Sequence, residues 1–229
     1  MHHLVLESWS RKSSPLHARD ARAKLVALLV FLIAVSTTRP GAFSAFYGYA
    51  ALLAVAIGIA QLPMGALVRR ALVFVPFIAT FTLITWLSGQ PERAIAIFEK
   101  SLLSGMAALI LVATTPINDL LRGLESLAVP RPLILVTQFL YRYLFVISEQ
   151  AQHMRMAARA RGSRFHSAAG AVSVLFARSW ERADGIYQAM LARGFSGKFS
   201  TIAPARFGIG DAIFLLAAGC ASVAIRLAL

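Results

Sequence analysis

The chain is poor in acid and nearly devoid of cysteine. Its 229 residues include ten aspartates and glutamates against 23 lysines and arginines, and a single cysteine. Cys220 can form no internal disulfide and sits inside an apolar block, where a free thiol acts as a small hydrophobe, so no function attaches to it. The five histidines, His2, His3, His17, His153 and His166, are scattered among basic residues, with no cysteine or carboxylate at metal-ligand spacing. A metal site in this chain is therefore not expected. No Ser/His/Asp or Cys/His arrangement stands out, which argues against catalysis. The nearest approach to a P-loop is Gly194-Phe195-Ser196-Gly197-Lys198-Phe199. Its first glycine is wrongly spaced, Phe199 replaces the magnesium-binding hydroxyl, and it follows a helical pattern instead of preceding one. The chain has no nucleotide site of its own by this reading.

What it has in excess is apolar residues. They make up 58% of the sequence, against about 45–50% in soluble domains, and the mean hydropathy is +0.69. They fall in blocks at 24–38, 43–61, 71–88, 95–115 and 208–228, near the ~20 residues that cross a bilayer as helix. Five such blocks leave almost no soluble shell, so they read as spans. The first follows a long polar stretch and has no small-residue cleavage site after it, so it is expected to remain as a span.

The net charge of +13 is sorted by position. With the N-terminus inside, the inner segments hold Arg11, Lys12, Arg19, Arg22 and Lys24, then Arg69 and Arg70, then twelve more from Arg122 to Arg206. The outside keeps Arg39, Arg93, Lys100 and Arg226. This bias predicts five spans with the N-terminus in and the C-terminus out. The excess charge thus reports topology, and no nucleic-acid partner is implied. Glu99, Lys100 and Asp211 lie near span ends and are expected to snorkel to the interface.

Residues 116–206 differ from the rest. Thr115-Pro116-Ile117-Asn118-Asp119 reads as a helix start, with Thr115 as the hydroxyl cap, and that short helix should stop before Pro130 and Pro132. Long helices follow over 133–161 and 167–193, each closed by a glycine, Gly162 or Gly194, that accepts the left-handed conformation. Leu140, Tyr143, Ile147, Ala151, Met154, Ala158 and Arg161 share one stripe of the first. Ala169, Val172, Phe176, Ser179, Ala183, Ile186, Met190 and Arg193 share one stripe of the second. Each stripe ends on the arginine of an Ala-Arg-Gly triplet: Ala160, Arg161 and Gly162, then Ala192, Arg193 and Gly194. Two such seams are expected to pack as a crossed pair with both arginines on one side. A cation in a last turn gains only about 0.3–1 kcal/mol from the helix dipole, so one triplet alone is an ordinary helix end. The pair suggests docking.

These residues resemble the transmembrane T component of energy-coupling factor transporters, in particular the Q subunit of cobalt- and nickel-type systems. The likeness covers essentially the whole chain. It runs through Asp20-Ala21-Arg22-Ala23-Lys24-Leu25, Thr115-Pro116, Val129-Pro130-Arg131-Pro132, Gln138-Phe139-Leu140-Tyr141-Arg142-Tyr143 and the paired triplets. The resemblance implies an all-α integral membrane protein of about five transmembrane helices, with a cytosolic coupling module of one short and two long crossed helices. The division would be 1–115 for the N-terminal segment and first four spans, 116–206 for the module and 207–229 for the last span. Partners implied are two ATP-binding-cassette ATPases, a membrane-embedded substrate-binding S component (a metal-specific M-type subunit, with or without a small N-type one) and the lipid bilayer. ATP would be bound by the ATPases, with no cofactor here. In the family the motif arginines enter grooves on the ATPases; carried over, these are Arg161 and Arg193. The residues alone leave two other classes open: a lipid-acting membrane enzyme and a membrane scaffold.

Overall fold

The computed structural model describes residues 14–127, 129–162, 168–195 and 207–228. Among these the regular elements are helices: α1 (Ala21–Thr37), α2 (Phe43–Ala60), α3 (Met64–Ala71), α4 (Val75–Leu87), α5 (Pro91–Thr114), α6 (Ile117–Ser126), α7 (Arg131–Ala160), α8 (Ala168–Ala192) and α9 (Ile209–Ala228). They form two units, Met1–Val129 with Ala205–Leu229, and Pro130–Pro204.

The first unit is built around α1, which packs against α5, α6 and α9. Phe31 and Val35 of α1 join Phe46, Tyr49, Leu53 and Ile57 of α2 and Leu103 and Ile110 of α5 in one buried cluster. The Phe31 and Tyr49 rings meet edge to face, 5.6 Å apart, and the buried Tyr49 hydroxyl lies 3.2 Å from Thr38 Oγ1, which satisfies its polar end.

α2, α5 and α9 are each long and apolar enough to cross a membrane. At 17 residues, α1 lies at the short end of the spanning range of about 17–25. The expected third span, 71–88, is not a single helix. α3 and α4 meet at a 49° bend and form, if joined, one broken span. The cause is Pro76, in the first turn of α4. Proline has no N–H to donate to the Leu72 carbonyl and disfavours helical geometry at Val75. The chain tightens there, with Val73, Phe74 and Val75 each donating to the carbonyl three residues back.

Charged residues fasten the ends of these helices. Asp20 caps α1 by accepting from the Arg22 amide at 2.8 Å. Lys24, 5% exposed, donates from Nζ to the carbonyls of Thr114 (3.1 Å) and His17 (3.3 Å) and to Thr115 Oγ1 (3.2 Å). At the far end of the same antiparallel pair, Lys100 of α5 donates to the carbonyls of Ser36 (2.8 Å) and Thr38 (2.6 Å). Each lysine thus satisfies the orphan carbonyls where the other's helix stops. Asp211 accepts from the amides of Asp20 and Gly208, both at 3.0 Å, tying the start of α9 to the start of α1. Lys100 and Asp211 therefore bind backbone at helix ends, which offer them unpaired groups. Thr115 is not the cap of the short helix. Pro116 takes that place with no side-chain hydrogen bond, and the Thr115 hydroxyl faces Lys24.

That short helix, α6, belongs to the first unit. It crosses α1 closely at Gly123, where a Cβ would come within 3.1 Å of Leu25 Cδ1 and 3.3 Å of Ala21 Cβ. Glycine is what lets the two helices touch.

Candidate functional site

The second unit is the helix pair α7 and α8. Pro130 and Pro132 start α7: neither supplies an amide hydrogen, and the first turn of a helix needs none. The pair has almost no interior. Ile134 is the one side chain of α7 buried among the described residues, while Leu140, Phe176 and Trp180 are 64%, 68% and 70% exposed.

Both Ala-Arg-Gly triplets stand at helix ends in the same geometry. Arg161 and Arg193 are the residues at which the helices stop, and Gly162 and Gly194 adopt φ of +68° and +77°. Gly162 N donates to the Arg159 carbonyl at 3.0 Å, and Gly194 N to that of Leu191 at 2.9 Å. After Gly194, Phe195 N reaches back to the Met190 carbonyl at 3.0 Å, completing the double closure that a left-handed glycine permits. No atom lies within 4 Å of a Cβ built at either glycine, so glycine serves the turn here, with no steric demand from within the chain. Ala160, Arg161, Gly162, Ala192, Arg193 and Gly194 are all exposed.

The helices run antiparallel. Ala157, Ala158 and Arg161 of α7 face Val174 and Arg178 of α8 across one cleft. Val136, Leu140 and Tyr143 face Ile186, Tyr187 and Met190 across another. Gln150 and Arg182 border both, and Arg182 Nη2 donates to Gln150 Oε1 at 3.5 Å, which marks the crossing. The expected seams face each other in part: Leu140, Tyr143 and Ile147 lie across an open groove from Ser179, Ala183, Ile186 and Met190, while at the other end Val174 and Arg178 replace Val172 and Phe176 in facing α7. Antiparallel order also means that the arginines do not lie side by side. They occupy opposite ends of the pair, separated by roughly 30 Å at 1.5 Å of helix rise per residue.

Of the other residues marked in the sequence, His2, His3, His166, Arg11, Lys12, Arg164, Lys198 and Arg206 lie outside the described residues, as do positions 196–199 of the P-loop-like segment and the side chain of Ala169. Among the described residues no three His, Cys, Asp or Glu side chains gather in a group that could hold a metal ion. Arg178 and Arg182, which count in the sequence only toward topology, line the first cleft. Their spacing of four, one turn apart on one face, was the available signal.

Fold and site together define a helical membrane protein that carries a separate, coreless, arginine-tipped helix pair. A family model described as cobalt transport protein, CbiQ, matches residues 12–202, and the chain belongs to that family. An uncharacterized protein of Methanocaldococcus jannaschii is 24% identical, over 93% of this chain and 82% of the relative. The cobalt transport protein CbiQ of Rhodobacter capsulatus is 30% identical over 49% of this chain, which spans 48% of that relative's length. The energy-coupling factor transporter transmembrane protein EcfT of Bacillus selenitireducens is 23% identical over 85% of this chain and 84% of its own.

Proposed function

We propose that the chain is the non-catalytic energy-coupling subunit of an energy-coupling factor importer for cobalt or nickel ions. It sits in the cell membrane as a multi-pass protein, with its N-terminus and the helix pair on the cytoplasmic side. Two ATP-binding-cassette ATPases bind and hydrolyse ATP. Arg161 and Arg193 dock on them, one arginine to each, and the pair carries their approach and separation to a membrane-embedded S component. The observation behind this reading is the pair of identical, exposed arginine helix ends at opposite ends of a module that lacks its own core. Guanidinium is always charged and makes bidentate contacts with carboxylates. The 30 residues of α7 give a rigid arm of about 45 Å.

The test is the double substitution Arg161→Glu with Arg193→Glu in the co-expressed transporter. The expected outcome is at least a tenfold loss of ATPase co-purification and loss of cobalt and nickel uptake, with the subunit itself still in the membrane. Intact ATPase binding together with intact uptake sinks the proposal.

A further inference from the structure

The two tips carry the same three residues in different surroundings. The Arg161 end closes a cleft of about 690 Å³ lined by Arg161, Arg178, Arg182, His153 and one acidic residue, Glu149, among others. Among the described residues none of the three arginines forms an ion pair. Arg178 and Arg182 stand one turn apart on α8, where like charges repel. Three arginines against one carboxylate leave the recess with a surplus of positive charge, complementary to an anion. The groove at the other end, about 480 Å³ and stopping one turn short of Arg193, is lined by Val136, Phe139, Leu140, Ile186, Tyr187 and Met190 among others. It is apolar, and its only ionic group, Arg182, stands at the crossing.

We infer that the Arg161 cleft is a docking surface for a carboxylate-bearing protein edge, with Arg178 and Arg182 as binding residues beside Arg161. The Arg193 end adds the apolar groove beside it to the contact that Arg193 makes. This rests on the docking reading above and deepens it: the two tips make chemically different contacts. The recess favours a protein over a lipid surface. A flat bilayer face cannot enter a cleft between two helices, whereas a loop or helix end can. Charge contacts of this kind weaken as salt shortens the Debye length from about 10 Å at 0.1 M to about 3 Å at 1 M, while apolar contacts do not.

The experiment uses the whole transporter, co-expressed and purified through this subunit, and measures ATPase and phospholipid retained at rising salt. Arg178→Glu with Arg182→Glu is expected to lower ATPase retention at least tenfold at low salt. The pair Arg178→Lys and Arg182→Lys, which keeps the charge, should retain most of it. Leu140→Ser with Ile186→Ser is expected to lower retention equally at low and high salt. Should the glutamate pair disturb folding, seen as a shifted elution of the subunit alone, Arg178→Gln with Arg182→Gln reads the same effect at smaller amplitude.

The inference is overturned if the Arg178 and Arg182 variants keep the ATPases at wild-type level while Arg161→Glu loses them, which leaves the docking reading standing. It is also overturned if those variants lose bound anionic phospholipid and keep the ATPases. If Arg161→Glu with Arg193→Glu too retains them, the docking reading itself fails.

Discussion

The two units differ in how far they bury apolar side chains. In the first, Phe31, Val35, Tyr49 and Leu103 are buried against one another, and charged residues are spent on the ends of helices. In the helix pair the apolar stripes stay open: Val172, Phe176 and Leu140 are all more than half exposed. Cavities stand where a core would otherwise be. The first unit has a buried cluster to hold its shape, and its outward apolar side chains, such as Phe77 at 70% and Leu87 at 76% exposure, belong to helices apolar enough to face lipid. The helix pair has no such cluster, and on the proposed docking reading its uncovered stripes acquire their packing from another molecule.

The contrast breaks first at Lys24. Replacing it with methionine keeps the length and removes three hydrogen bonds, leaving the Thr114 carbonyl unpaired at a buried helix end. Lys24 also lies in the field of Asp119, Asp20 and Asp211, which would lose their cation. The expected cost is about 3 kcal/mol, read as a clear fall in the melting temperature of the detergent-purified subunit. An unchanged melting temperature would mean that the strap does not hold α1 to α5.

Gly123→Leu is the next test, at about 2 kcal/mol, since a side chain must force α6 from Ala21 and Leu25. If the melting temperature holds, α6 is not clamped to α1. Smaller again is Gly194→Ala, which places an L side chain at φ +77° for about 1 kcal/mol. Asparagine tolerates that conformation, so Gly194→Asn separates two demands on the glycine. Recovery of ATPase retention with asparagine means that the turn alone matters. Continued loss means that a partner's backbone comes close enough to exclude a side chain.

What the sequence made legible follows from how local each signal is. Gly162 and Gly194 close their helices as their residue type requires, and the apolar blocks mark where helices lie, because both depend on residues within a turn or two. The bend between α3 and α4 was equally local, since Pro76 stands inside the block that reads as one span. Thr115 was different. Its spacing before Asp119 suits a cap, but a lysine 91 residues earlier in the chain takes its hydroxyl, and that pairing exists only once α1 and α5 lie together. The stripes of α7 and α8 were legible as stripes. Their antiparallel order, which separates Arg161 from Arg193 and gives each tip its own surroundings, is a tertiary fact that periodicity does not carry.

The sharpest form of the comparison is the substitution with the smallest effect on stability. Phe176→Ser removes a large apolar side chain that is 68% exposed. Surface changes away from packed features usually stay within about 0.5 kcal/mol, so the isolated subunit should melt as wild type does. In the first unit, Phe31→Ser, at 5% exposure, should cost several times more. Once partners are present the order should reverse, because the Phe176 surface is then what they cover. The co-expressed Phe176→Ser transporter is expected to lose partner subunits on purification although the subunit itself is intact. A melting temperature that falls with Phe176→Ser in the isolated subunit would show that the stripe already packs against its own chain. In that case the open helix pair is not a surface kept for partners.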